Sequence, residues 1–303
     1  MNLKKILAAL VIVGLFFSIS EAYGQITFGE KPQQTIKIVI DENGMAHVTH
    51  EVVGSAKTTQ QVETVVGTMS NLSVVDREEN EVQYLTLEKY PIAIVLTPSN
   101  KDMIFIKYDL SDVLFLKDGI WTWKWVGTEI TNFYFPSNVD MIWINDRPIY
   151  IGEKGIRQHG GAMTLEYVSD EPVISKEVVW EDKKFEVGIK TLTDVEGFEF
   201  SQPEKRISFD IPKSNSLVTA IIPLELLWEP YDVYVNGNQT LNSEFYNNGT
   251  HTWIGFRPDT SGTINIIGTT VVPEFPLLVP LALGISLVLA LQFRNKFNFH
   301  LGY

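Results

Sequence analysis

The sequence predicts a mainly β protein: two abutting β-sandwich-like domains, with one short helix in the first. Three observations predict it. Apolar and polar residues alternate through most of the chain, which is the period of a half-buried strand. Turn chemistry interrupts that alternation often, as at Asn43-Gly44, Pro98-Ser99-Asn100, Lys117-Asp118-Gly119 and Asn236-Gly237. Helical spacing occurs convincingly only once between the two ends. Those ends are apolar: residues 1–24 predict a signal peptide, and 273–303 contain a predicted transmembrane helix.

At the N-terminus, Lys4 and Lys5 precede an apolar run from Ile6 to Ile19, and small residues follow at Ala22 and Gly24. These are the three parts of a secretory signal, with cleavage expected between Gly24 and Gln25. The run is shorter than the roughly 20 helical residues needed to span a bilayer. Near the other end, Phe275 to Phe293 carries no charge, and its polar residues are Ser286 and Gln292. Arg294 and Lys296 close it. Basic residues favour the cytoplasmic side, so the intervening body is expected outside the cell.

That body opens with "TIKIVIDENGMAHVTHEV", alternating on both sides of Asn43-Gly44, the strongest short-range hairpin signal. Thr58 and Gln61 then fit a capping box, and Val62, Val65, Val66, Met69 and Leu72 repeat at helical spacing, predicting a helix near 59–70. Strand patterns resume with "EVQYLTLEKY", "IAIVL", "DMIFIKYDL", "GIWTWKWV", "TNFYF", "DMIWIN" and "AMTLEYV". An acidic turn with Pro172 marks the expected boundary between a first domain, 25–174, and a small all-β domain, 175–272. About seven short strand patterns in the second predict a sandwich. The halves share a faint pattern: Pro, a spacer, an aromatic-containing strand, then Asn145-Asp146 or Asn236-Gly237, and a last strand ending near Tyr167 or Ile264.

The chain carries 24 basic and 37 acidic residues, a net charge of −13. An acidic surface argues against nucleic acid as a partner. There is no cysteine, which excludes disulfides, thiolate-ligated metal centres and a cysteine nucleophile. No catalytic motif of the H-E-x-x-H or G-x-S-x-G type is present. His47 and His50 are three apart in a strand, so they face opposite sides and are expected at solvent or at an edge. Asp41-Glu42-Asn43-Gly44 resembles part of a calcium loop, but the twelfth position is Val52 rather than an acid, and a turn explains it better. No catalytic residue, cofactor or metal site is therefore assigned.

Two features could touch a ligand or a glycan. Trp121, Trp123 and Trp125 fall on one strand face, which is either core or a candidate aromatic binding face for sugar rings. Asn71, Asn238 and Asn248 each begin an N-x-[ST] sequon; Asn238 and Asn248, in turn-like segments, are the better glycosylation candidates.

Pro273-Glu274-Phe275, set directly before the apolar helix and the basic end at Arg294 and Lys296, resembles the PEF-CTERM archaeal sorting signal. The resemblance covers about the last thirty residues. It implies recognition by an archaeosortase-like enzyme, removal of the tail and attachment to the envelope. The resulting expectation is a non-enzymatic cell-surface protein, structural or adhesive. Its expected partners are the membrane, the processing enzyme, and envelope glycans or surface-layer proteins. The alternatives are a carbohydrate-binding ectodomain and a surface hydrolase with a carboxylate pair assembled only in three dimensions.

Overall fold

A computed structural model describes residues 29–269, except 153 and 181, together with 284–289. The signal segment with its Gly24–Gln25 junction, the Pro273-Glu274-Phe275 element, Arg294 and Lys296 lie outside the described residues. The described chain is mainly β. Its strands are β1 (Gln34–Ile40), β2 (Ala46–Val53), β3 (Gln60–Glu63), β4 (Met69–Asp76), β5 (Tyr84–Leu87), β6 (Ala93–Leu96), β7 (Met103–Leu110), β8 (Phe115–Lys117), β9 (Ile120–Gly127), β10 (Thr131–Tyr134), β11 (Met141–Ile144), β12 (Arg147–Tyr150), β13 (Ile156–Gln158) and β14 (Gly161–Tyr167). They continue with β15 (Val173–Trp180), β16 (Lys183–Lys190), β17 (Glu196–Ser201), β18 (Arg206–Ile211), β19 (Val218–Pro223), β20 (Asp232–Val235), β21 (Asn238–Thr240), β22 (Asn242–Asn247), β23 (His251–Phe256) and β24 (Gly262–Ile267). A short helix covers 284–289. No helix among the described residues is long and apolar enough to cross a membrane.

The strands gather into two compact units, between which the chain passes several times. Among the described residues, the first contains the chain up to Leu114 with Val126–Tyr134 and Ile156–Gly161; the second contains Phe115–Trp125, Phe135–Gly155 and the strands that follow Ala162. The Pro172 turn, where the sequence places a domain boundary, thus lies inside the second unit. The reason is packing: Met141, Trp143 and Val168 share an apolar cluster with Leu217, from beyond that turn.

In the first unit a six-stranded sheet runs β13-β10-β1-β2-β7-β4, and a three-stranded sheet runs β3-β6-β5. β1 pairs with β2 antiparallel and with β10 parallel. The first hairpin forms, with Ile38 opposite Val48. Its turn is wider than an Asn-Gly pair alone would make, because Asp41 Oδ1 accepts the N–H groups of both Asn43 and Met45.

The helix expected near 59–70 does not exist. Val62 is buried on β3, which pairs with β6, and Met69 opens β4, which pairs with β7. Thr58 bonds Ser55 through both its backbone N–H and its hydroxyl instead of capping a helix. Gly67 has positive φ, and a Cβ there would stand 2.7 Å from Val113 Cγ1. The valine spacing suited a helix face, but β-branched residues favour strands, and two available edges won.

In the second unit the sheets β15-β16-β19-β23-β22 and β17-β18-β24-β20-β21 share one apolar core. Phe185, Val187, Ile189, Ile254 and Phe256 of the former meet Ile207, Phe209, Val233, Ile264 and Ile266 of the latter. The remaining sheet of this unit, β12-β11-β14-β9-β8, has the same plan as β21-β20-β24-β18-β17. Each has a first hairpin, a second hairpin, and a last strand inserted between them. The likeness extends to single atoms. Asn145 and Asn236 both open their two-residue turns with φ near 50°. Each donates its backbone N–H to a threonine carbonyl of the last strand, Thr164 at 3.0 Å and Thr263 at 2.9 Å. Each accepts that threonine's N–H on Oδ1, at 2.9 Å and 3.0 Å. Asparagine tolerates left-handed backbone and carries the acceptor, so one residue satisfies both needs.

Asn145→Ala and Asn236→Ala should each lower unfolding stability by about 1–3 kcal/mol, from strained φ plus an unpaired N–H. The glycine variants, which lose only the side-chain bond, should lose less. Chemical denaturation of the four variants measures both the loss and its order.

Candidate functional site

The three tryptophans take different positions on β9. Trp123 and Trp125 are 3% and 2% exposed, and Trp121 is partly buried, its ring 6.4 Å from that of Tyr167. A sugar cannot stack on an indole that water does not reach, so of the two readings of this face Trp123 and Trp125 follow core. The cause is position: β9 lies between β14 and β8 in its sheet, and the largest side chains of the strand fill the covered side.

The histidines do face opposite sides, but only one is at solvent. His47 bonds Asp109 at 2.6 Å through an exposed ring. Asp109 is held below the usual carboxylate range, first by the Asn71 amide and then by His47. His50 is fully buried, against expectation. It sits in a chain of hydrogen bonds within the first unit. The Val65 N–H donates to Tyr108 Oη at 2.7 Å, Tyr108 lies 2.8 Å from His50 Nε2, and His50 Nδ1 lies 2.9 Å from Gln34 Oε1. Gln34 Oε1 can only accept, so Nδ1 carries the proton and Nε2 accepts from the phenol. Burial lowers the His50 pKa to about 3 and raises that of Tyr108. This is a neutral, buried polar network, and its work is structural.

A polar cleft of about 290 Å³ opens in the second unit, lined among others by Lys117, Thr122, Glu166, Lys213, Asn215 and Ser216. The β8–β9 hairpin, the loop that leads into β19 and Glu166 of β14 supply its walls. Glu166 is engaged by Arg257 at 2.6 Å, and Arg257 also reaches Asp146 at 2.8 Å. The Ser216 hydroxyl donates to the Lys213 carbonyl, so it faces no base. The arrangement can hold a small polar group through hydroxyls and ammonium groups, and it aligns no nucleophile with a proton acceptor.

Two further carboxylate arrangements stand in the same unit. Lys190, almost fully buried, reaches both oxygens of Asp140 at 2.7 Å. Beside them, burial raises the Glu171 pKa to about 7, opposed by Lys190. Burial raises the Glu244 carboxyl above its ordinary range, opposed by the Tyr231 N–H that donates to it at 2.7 Å, and the neighbouring Glu229 raises it too. Among the described residues, no group of three or more His, Cys, Asp or Glu side chains could hold a metal ion.

Sequence reasoning missed an aromatic group. Tyr150 of β12 stacks on Tyr246 of β22 with centroids 4.1 Å apart, Tyr246 meets Trp253 edge-on at 4.8 Å, and His251 lies 6.3 Å from Trp253. The Asn248-Gly249 pair between β22 and β23 was the available signal. It predicts a hairpin, and a hairpin sets Tyr246 opposite Trp253.

Of the sequons, Asn71 sits on a bulge of β4 rather than at a helix end. Asn238 opens β21, and Asn248 stands exposed in the turn after β22. No known protein family and no curated protein matches the chain.

His50 and Glu171 should respond to pH with opposite signs. Between about pH 6.5 and 3 the unfolded chain binds a proton at His50 that the folded chain refuses, so this contribution to stability falls as pH falls. The slope approaches about 1.4 kcal/mol per pH unit. Tyr108→Phe, which strips the network of its phenol, should cost about 1–3 kcal/mol at neutral pH. Between about pH 4.5 and 7 the folded chain holds a proton at Glu171 that the unfolded chain has released, so stability is lost as pH rises through 7. Glu171→Gln should therefore gain stability relative to the parent at pH 8 and little at pH 4, as read from urea midpoints.

Proposed function

We propose that this chain is an exported, non-enzymatic cell-surface protein with a structural or adhesive role. Its ectodomain is a pair of β-sandwich-like modules, sorted to the membrane or envelope through its C-terminus. The observation that carries the reading is the pairing of two terminal segments around a β-rich body. One is a basic-then-apolar leader ending at Gly24; the other is Pro273-Glu274-Phe275 before an uncharged run closed by Arg294 and Lys296. The body supports it. Its stability comes from apolar cores and buried hydrogen-bonded groups without cysteine, so it needs no redox partner to fold outside a cell. The polar groups the fold brings together are mostly spent on one another: Arg257 on Glu166 and Asp146, Lys190 on Asp140, His50 on Tyr108 and Gln34.

The partners of this reading are the membrane, an archaeosortase-like processing enzyme, and envelope glycans or surface-layer proteins. The intact mass of the protein isolated from its native membrane fraction tests it. A chain beginning at Gln25 and ending near Pro273–Phe275 is expected. Full-length chain with residues 1–24 in the cytosolic fraction overturns the reading.

A further inference from the structure

We propose that Asn248 is a site of N-linked glycosylation and that its glycan lies beside the Tyr150–Tyr246–Trp253 aromatic group; the proposal rests on export of the chain. Three sequons compete, and the folded structure treats them differently.

Asn71 is already committed. Its Nδ2 donates to Asp109 Oδ2 at 2.7 Å, within a bulge flanked by ladder pairs of β4 and β7. A glycan on that nitrogen would replace one of its two hydrogens and crowd its bond to a carboxylate that also holds His47. Asn238 is exposed but lies in the ladder, opposite Val235, with Thr240 opposite Val233. Side chains two apart on a strand stand almost 7 Å apart, so the Thr240 hydroxyl does not reach the Asn238 carboxamide. An enzyme that bends the chain around its acceptor would have to peel β21 from β20.

Asn248 is presented differently. Asn247, Asn248, Gly249 and Thr250 are all exposed. The Asn248 Oδ1 accepts three hydrogen bonds: the Thr250 N–H at 3.0 Å, the Thr250 hydroxyl at 2.9 Å and the His251 N–H at 2.8 Å. Among the described residues its Nδ2 has no hydrogen-bond partner. The turn thus clamps the oxygen, brings in the hydroxyl that defines a sequon, and leaves the nitrogen outward. Gly249, at φ +87°, supplies the backbone that this turn requires, and a Cβ there would meet nothing within 4 Å. Open space remains for a sugar.

The neighbourhood gives that sugar a place to rest. Tyr246 lies near the end of β22, two residues before Asn248 in the turn that follows. Its stack with Tyr150, which is 40% exposed, leaves apolar ring surface near the turn. The C–H face of a pyranose packs on such rings.

The transfer itself needs a co-reactant, a lipid-linked oligosaccharide phosphate or diphosphate, and a membrane transferase. The Asn248 nitrogen forms a bond to the anomeric carbon. The anomeric C–O bond breaks, the lipid phosphate leaves with the bonding pair, and the amide proton passes to a base of the transferase.

The test separates site choice from native export. The chain is secreted from an N-glycosylating host, with residues 1–24 exchanged for that host's own leader, and the secreted protein is analysed by intact mass and glycopeptide mapping. The expected result is a glycan on Asn248, none on Asn71, and lower occupancy at Asn238. Asn248→Gln and Thr250→Ala should each abolish that glycan, and Thr250→Ser should retain it. Secreted parent with bare Asn248, or with its principal glycan on Asn71 or Asn238, overturns the proposal. Failure of native export shows independently, as residues 1–24 retained in the native intact mass.

Discussion

The insertion of a last strand between two hairpins is the constraint on which much of the second unit depends. β14 enters between β9 and β11, and β24 enters between β18 and β20. In each sheet the central strand arrives last in sequence, so neither sheet can close by local pairing alone. An asparagine in left-handed backbone fastens each arrival, Asn145 to Thr164 and Asn236 to Thr263. The second lock is tight enough that a Cβ at position 262 would stand 2.0 Å from Asn236 Oδ1, which is why glycine precedes Thr263. Long-range strand insertion is entropically expensive, and a bond that recognises one register helps exclude slipped ones.

The same constraint explains what could be read in the sequence. Period-two alternation identified most strands, because one side of each is buried and burial enforces alternation. The turns Asn145-Asp146 and Asn236-Gly237 were legible as related, because left-handed backbone restricts the residues that can stand there. The 59–70 segment was misread because valine spacing is ambiguous between a helix stripe and two short strands. The decision belonged to β6 and β7, which come later in the chain. The boundary near Pro172 was misplaced for a similar reason. Composition shifts mark turns, but Met141 and Trp143 find Leu217 only in three dimensions.

The candidate sites divide along the same line. The Asn248 sequon was visible because it is a local pattern, and its hairpin context was visible in Asn-Gly. The aromatic neighbour Tyr150 was not, since it lies almost a hundred residues upstream on another sheet. The buried His50 network was also hidden. Gln34, His50, Val65 and Tyr108 share no motif; pairing of β1, β2 and β7 brings three of them together. The carboxyls Glu171 and Glu244 gain their character from burial and from charged neighbours, which composition does not encode.

A chain without disulfides must place its largest apolar side chains where they remove the most surface from water, and the tryptophans follow that rule. On β9 the buried pair Trp123 and Trp125 occupies the covered face, while Lys124 and Val126 between and beyond them are exposed. A full Trp side chain buries roughly 150–250 Å² of surface, worth several kcal/mol by area. Exposing both for ligand stacking would forfeit that contribution in a protein with no covalent cross-link to replace it. Aromatic surface free for contact is found instead at a strand junction, where Tyr150 and Tyr246 are held by each other. Losing water there costs the core nothing, so this is where a fold of this kind can leave apolar rings available to a sugar.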